Sequence, residues 1–475
     1  MKSKYVSRDT SNRRLILLFA GWGMDSRMFR NLSFEGYDIL VLWDYRDLTF
    51  SWKPLMRYDE ICLIAWSMGV FAASLTIHEI EHRITKRIAV SGTLDPINDR
   101  RGIPTAIYHG TINALNPATL RKFYRRMCTS AEQFAAFRLN GPKRSVAELI
   151  EELTAIETHT IFHTPQIDQW DLAVIGRHDQ IFPVANQLAA WRPGGTPTHI
   201  TECGHLPDFP DLISRLIVDK KRVESRFSSC GDTYGPASLA QQKIAGTLIQ
   251  LFTRAAALDR EATPLKGDIL EIGCGNGTFT RLYTDKIHPQ SRLRLWDIAD
   301  VDTSAFAPSA LFTRCDAEVA IRRLPSKSTA YILSASTIQW FNSPASFIRE
   351  CERVLVPGGY LVLSAFVNTN LSELTQCADI GLNLPAASTW QAMIPDSFSL
   401  FVCQASAYTL YFDSPRQVLE HLRHTGVNAV SSKRSLVTVA RRILENYPRD
   451  EQGRCPLTYR PIFIIARRND PGEKN

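Results

Sequence analysis

Apolar positions along the chain fall into short continuous runs, separated by longer stretches where they recur at helical spacing. RRLILLFAGWGM, from Arg13 to Met24, predicts a buried strand that ends in a tight loop at Gly21 and Gly23. YDILVLWDY and YDEICLIAWSMG predict the next two strands. Beyond Gly69, VFAASLTIHEI has the spacing of a helix, so Ser67 stands where a buried strand becomes a helix. KRIAVSGT, TAIYHG and WDLAVIGRHDQIFP read as further strands. From about Asn113 to Pro165 there is no alternation, and the length suits several helices. The charged stretch VDKKRVESRF then precedes an entry helix in SSCGDTYGPASLAQQKIAGTLIQLF and a second cycle of strands: GDILEIGCGNG, LRLWDI, TAYILSASTIQWF and VLVPGGYLVLSAF. Such alternation predicts an α/β protein with mostly parallel sheets, which place ligands at the carboxyl ends of their strands. Two α/β domains are expected, 1–219 and 220–475, the first carrying a helical lid over about 113–165.

Length and composition agree with this division. A chain of 475 residues, 44% hydrophobic, has the material for more than one core. The formal charge of +7 is not gathered into a tail; it is compatible with an acidic partner and does not call for nucleic acid. Ten cysteines are scattered without a CxxC pair, and the opening MKSKYVSRDTSNRR has no apolar leader, which points to reduced thiols in the cytoplasm. No run of apolar residues is long enough to predict a membrane span. No metal site is expected.

The first cycle carries a hydrolase pattern. In a nucleophile elbow, small residues two positions either side of a serine allow a strained strand-to-helix turn that lifts the hydroxyl above the sheet. Ala65-Trp66-Ser67-Met68-Gly69 has this form, with alanine in place of the first glycine. A serine needs a base and an orienting carboxylate, and both follow in the order this fold uses: Asp179 after the strand AVIG, and His205 in TECGHLPDF. Asp168 and Asp171 precede the same strand, at the wrong end of the sheet. The backbone N–H groups of Trp22 and Met68 are placed to flank a developing oxyanion. In the lid, Arg121, Lys122, Arg125, Arg126 and Arg138 are interleaved with Phe123, Phe134 and Phe137. The aromatics suit an acyl channel and the cations an acidic carrier; a solvated helical face with an ordinary core stripe fits the same residues.

The second cycle carries a nucleotide-binding pattern. Gly273, Gly275 and Gly277 form a GxGxG turn after a strand, with Glu271 just before it. The glutamate suits the amino-acid cation of a cofactor better than a pyrophosphate, and the sixth-position glycine expected of a dinucleotide turn is missing, Thr278 standing there. Asp297 ends the next strand, where a carboxylate accepts from both ribose hydroxyls, and Asp316 in FTRCDAEV suits an adenine amino group. Ser334 to Gln339 come near a reactive sulfonium. The pattern describes a Rossmann-like methyltransferase better than a dehydrogenase.

AGWGMD, AWSMG, GRHDQIFP and CGHLPDFP together resemble the α/β-hydrolases that act as pimeloyl-acyl carrier protein methyl ester esterases in biotin synthesis. That resemblance implies Ser67 as nucleophile, Asp179 as orienter, His205 as base, and Trp22 and Met68 as oxyanion donors. EIGCGNGTF, WDIAD, STIQWF, VLVPGG and FDSPRQVLEHLRHTGVNA resemble malonyl-acyl carrier protein O-methyltransferase of the same pathway. It implies S-adenosyl-L-methionine as cofactor, with Asp297 on its ribose, and an acyl carrier protein as partner of both halves. Two other readings remain at this point: a small-molecule methyltransferase fused to an unrelated esterase or thioesterase, and a carrier-binding scaffold with a degenerate hydrolase domain.

Overall fold

The computed structural model describes all residues except 167–168, 230–237, 259–264, 379–383, 425–435 and 471–475. Asp168, part of the expected entry helix and the GVNA segment lie outside the described residues. The chain divides into two compact units, Met1–Ile213 and Ser214–Asn475.

In the first unit the strands are β1 (Lys2–Ser7), β2 (Arg14–Phe19), β3 (Tyr37–Trp43), β4 (Glu60–Trp66), β5 (Ile84–Val90), β6 (Leu172–Gly176) and β7 (Thr198–Thr201), in the order β1-β3-β2-β4-β5-β6-β7. All pair in parallel except β1, which runs antiparallel to β3. Every residue of β4 is buried, as is every residue of the helix α1 (Met68–Thr76) that follows it. Burial on both faces is why the central strands read as unbroken apolar runs rather than alternations. The apolar pattern does not announce β1. That strand lies at the sheet edge with Lys2 to Lys4 exposed, so it carries no apolar signature.

TAIYHG is not a strand. It opens the helix α2 (Thr105–Ala114), which leaves Pro104 and buries only Tyr108, while Ile107 is 55% exposed. A short apolar run without its neighbours does not separate a core strand from one turn of a surface helix. After α2 come α3 (Pro117–Met127), α4 (Ala131–Asn140) and α5 (Val146–Phe162). Each of these three starts at a side-chain cap: Asn116, Ser130 and Ser145 accept from the first-turn N–H groups. The helical layer therefore begins before Asn113.

The second unit contains β8 (Ile269–Ile272), β9 (Leu293–Asp297), β10 (Leu311–Arg314), β11 (Thr329–Ala335), β12 (Leu355–Phe366), β13 (Phe398–Ala405), β14 (Tyr408–Phe412), β15 (Cys455–Tyr459) and β16 (Pro461–Arg468). Its main sheet has the order β10-β9-β8-β11-β12-β16-β13, with β14 and β15 paired separately. The first five strands are parallel, and β16 is antiparallel to both β12 and β13. Strand order departs in opposite directions from β8 and β11, which leaves a crevice at their carboxyl ends. The helix Leu239–Leu258 covers one face, its Phe252 ring meeting Tyr331 and Tyr360. Phe347, Ile348, Cys351 and Val354 of the helix Pro344–Val354 cover the other. Among the described residues no helix is long and apolar enough to cross a membrane, and the nine described cysteines are free thiols.

Candidate active sites

Ser67 joins β4 to α1 with φ 58° and ψ −126°, a backbone region that side chains rarely adopt. The turn closes because Gly69 follows: a Cβ there would lie 2.6 Å from the carbonyl oxygen of Phe19. Ala65, in place of the usual glycine, is fully buried within β4. His205 Nε2 lies 3.0 Å from Ser67 Oγ, and His205 Nδ1 lies 2.9 and 3.1 Å from the two Asp179 oxygens. Both Asp179 and His205 are buried.

Asp179 is fixed by three further donors. Its Oδ1 accepts from the N–H groups of Ile181 and Phe182, and its Oδ2 accepts from Gln187 Nε2 at 3.0 Å. The imidazole lies parallel to the Phe182 ring at 5.9 Å, and Trp66 Nε1 donates to the His205 carbonyl. Asp171, by contrast, accepts from the Arg87 N–H at the amino end of β6. Serine, imidazole and carboxylate thus form one hydrogen-bonded chain at the carboxyl end of the sheet, the arrangement that activates a hydroxyl for attack on an acyl carbon.

A cavity of about 40 Å³ adjoins Ser67 and His205, with Trp22 and Met68 in its wall. Among the described residues the N–H groups of Trp22 and Met68 have no acceptor in the protein. The apolar wall comes from the lid: Ile107 and Tyr108 of α2, Phe123 and Met127 of α3, and Leu153 of α5. Of the three phenylalanines expected to line it, only Phe123 does. Phe137 is buried against Tyr124 with ring centres 5.0 Å apart and so serves lid packing, and Phe134 is half-buried and does not line the cavity. Arg121, Lys122, Arg125, Arg126 and Arg138 are exposed, and Arg126 borders the cavity. Sequence reasoning misses the α2 contribution because its segment reads as a strand.

In the second unit the loop after β8 bounds a larger cavity of about 290 Å³. Gly273 has φ 72°, and a Cβ there would lie 2.0 Å from Thr337 Oγ1; Gly275, φ 48°, faces open space. Gly277, φ 76°, packs beside Phe306 and does not line the cavity. Asp297 does, its oxygens accepting from the N–H groups of Gly275 and Ala299, and burial raises its pKa. Asp316 also lines it, at 3.4 Å from Lys220 Nζ. Ser336 and Thr337 form the wall beyond β11, whereas Ser334 is buried with its hydroxyl donating to the Ile272 carbonyl.

Glu271 stands in β8, two residues before the turn. It does not line the cavity; its Oε2 accepts from Tyr283 OH at 2.5 Å and from Thr280 Oγ1 at 2.7 Å. Fully buried, its carboxyl is pushed up to about 7, chiefly by desolvation. It braces the turn from behind. Lys220, Val223 and Phe227 of the helix Lys220–Ser229 line the cavity, although the sequence pattern assigns them no role. The spacing of Val223 and Phe227, one helical turn apart in an otherwise polar stretch, is the signal that was available. Among the described residues no cluster could hold a metal ion. A glycine cradle that a Cβ would fill, a strand-end carboxylate and a cavity of about 290 Å³ fit S-adenosylmethionine.

The chain is therefore a two-domain α/β protein, with a serine-hydrolase-type site in one unit and a Rossmann-like, S-adenosylmethionine-binding methyltransferase unit in the other. Residues 1–212 match the family described as pimeloyl-ACP methyl esterase BioG, and residues 270–363 match a methyltransferase domain family. A malonyl-[acyl-carrier protein] O-methyltransferase of Bacteroides fragilis is 34% identical over 468 residues, covering 96% of this chain and 93% of that one. One from Haemophilus influenzae is 34% identical over 263 residues, 53% of this chain and 95% of its own length. The crystal structure of BioG from Haemophilus influenzae is 35% identical, covers 43% of this chain and 94% of that one, and has a TM-score of 0.39. The chain belongs to the malonyl-acyl carrier protein O-methyltransferase family, in a form fused to a BioG-type half.

Proposed function

We propose that the second unit methylates the free carboxylate of malonyl-acyl carrier protein with S-adenosylmethionine, and that the first hydrolyses the methyl ester of pimeloyl-acyl carrier protein. The observation that carries this reading is the presence of two separate sites on one chain: Ser67 Oγ 3.0 Å from His205, and an open turn at Gly275 beside Asp297. Methylation would make malonyl a neutral primer for fatty-acid elongation, and hydrolysis would restore the carboxylate and end elongation.

In ester hydrolysis His205 Nε2 takes the Ser67 proton as Oγ attacks the ester carbonyl. The N–H groups of Trp22 and Met68 face the resulting oxyanion, a contact worth about 3 kcal/mol per donor in other hydrolases. His205 then protonates the departing methoxide, releasing methanol. Water attacks the acyl-serine by the same route, and Asp179 holds the imidazole in the productive tautomer throughout. The exposed basic face of α3 and α4 suits an acidic carrier protein.

In methylation the bound cofactor supplies an electrophilic methyl group on sulfonium. Asp297 is assigned to the ribose hydroxyls and Asp316 to the adenine amino group, both from within the cavity wall. Phe227, Trp340 and Phe341 exclude water from that wall. A carboxylate acceptor is already nucleophilic, so positioning suffices and no base is required.

The deciding experiment is mass spectrometry of malonyl- and methyl-pimeloyl-carrier proteins after incubation with wild type, Ser67→Ala and Gly273→Arg. Ser67→Ala should lose only demethylation and Gly273→Arg only methylation. Any other partition overturns the assignment.

A further inference from the structure

A carboxylate of the lid lies beneath the loop that carries the first oxyanion donor. Glu152, in the middle of α5, is fully buried, and both of its oxygens are engaged by the body of the first unit. Oε2 accepts from the Gly23 N–H at 3.3 Å, and Oε1 accepts from the Tyr45 N–H at 2.8 Å. Tyr45 in turn donates its hydroxyl to the Ala20 carbonyl at 2.6 Å, and Trp22 Nε1 donates to the Leu149 carbonyl, one turn before Glu152 on α5. The peptide that presents the Trp22 N–H is thus held on both sides, at Ala20 through Tyr45 and at Gly23 directly. Arg144, 4% exposed and just before the α5 cap, lies 2.5 Å from Glu152 and 3.3 Å from Asp44, which balances the buried charge.

We infer that Glu152 is a positioning residue for ester hydrolysis, which sets the Ala20–Met24 loop so that the Trp22 N–H points at the oxyanion. The lid then does two things: it supplies the apolar wall and it assembles half of the oxyanion site. This rests on the esterase reading proposed above. A carboxylate suits this role because it accepts two backbone N–H bonds in one plane, whereas an amide in the same place turns a donor toward one of them.

The experiment compares wild type, Glu152→Gln, Tyr45→Phe and Ser67→Ala on methyl-pimeloyl-carrier protein and on p-nitrophenyl acetate, with near-ultraviolet circular dichroism as the check on folding. For Glu152→Gln the expected result is a fall in kcat of about 10–100-fold with KM within about threefold, equal for the long and the short ester, since the oxyanion is common to both. Phosphonylation of Ser67 by a fluorophosphonate should slow in the same proportion. Tyr45→Phe loosens only the Ala20 side and should show a smaller loss of the same kind, which keeps the inference testable should Glu152→Gln fail to fold. Unchanged kcat in the folded variants, or a loss confined to KM of the long ester, overturns it. If Ser67→Ala is inactive while both variants keep wild-type kcat, only the role of Glu152 falls. If Ser67→Ala keeps hydrolysis, the esterase reading fails and takes this inference with it.

Discussion

Ser67, Asp179 and His205 were each legible as residue types at strand ends, because the order serine, aspartate, histidine follows from the topology of the sheet. What could not be read was the support around them. Gln187 and the N–H groups of Ile181 and Phe182 hold Asp179, and they matter only because the loop folds back on itself. Asp179→Asn preserves the shape but favours the wrong imidazole tautomer, so kcat for methyl-pimeloyl-carrier protein should fall by about 10⁴ with little change in KM. A steady-state assay giving a loss under tenfold would remove Asp179 from the triad. Glu271 illustrates the opposite outcome: the residue was legible, its direction was not. Its carboxyl is pushed up to about 7 from an ordinary 4.5, so it binds its proton more tightly in the folded chain. The stability this contributes is full below about pH 4.5 and is lost as pH rises through about 7. The thermal midpoint of the second unit should therefore fall between pH 5 and 8 by more in wild type than in Glu271→Gln, and an equal fall in both would refute it.

Among the elements, β2 to β6, β8, β9, β11 and β12 announce themselves as apolar runs because both faces of the central sheet are covered; β10, an exposed edge strand, does not. The exceptions have physical causes. The polar β1 is stabilised by its ladder to β3 rather than by burial, and TAIYHG became helix because Pro104 starts it and the neighbouring lid helices accept Tyr108. Strand β16 lies between β12 and β13, a pairing between segments far apart in sequence that local pattern does not encode. The helix α5 shows how one element comes to serve two ends. Its capping box at Ser145 and Glu148 follows from local spacing, but its buried Glu152 depends on Arg144 and Tyr45. Removing the cation leaves an uncompensated buried carboxylate. Arg144→Met should destabilise the first unit by about 3–5 kcal/mol in urea titration, and adding Glu152→Gln should recover part of that. Equal stability of Arg144→Met and wild type would mean that the ion pair does not hold α5.

For the whole molecule, the two reactions oppose one another unless the esterase distinguishes its substrate from the methyltransferase product. The apolar lid wall offers a means. Each methylene buried there is worth about 0.8 kcal/mol, so the four that separate pimeloyl from malonyl supply roughly 3 kcal/mol, about a hundredfold preference. Measuring kcat/KM for the two carrier-bound methyl esters tests this; equal values would show that the lid does not select by chain length.

By itself the sequence determined the two α/β cycles, the serine and glycine turns and the residues at the strand ends, because those follow from local periodicity and from the few residue types that a sharp turn admits. Only the tertiary structure decided which phenylalanine meets the acyl cavity, that Glu271 Oε2 is taken by Tyr283 and Thr280, and that Glu152 reaches the oxyanion loop. Each of those depends on the direction of a side chain between elements distant in sequence, and burial and hydrogen-bond satisfaction across such contacts are properties of the packed chain.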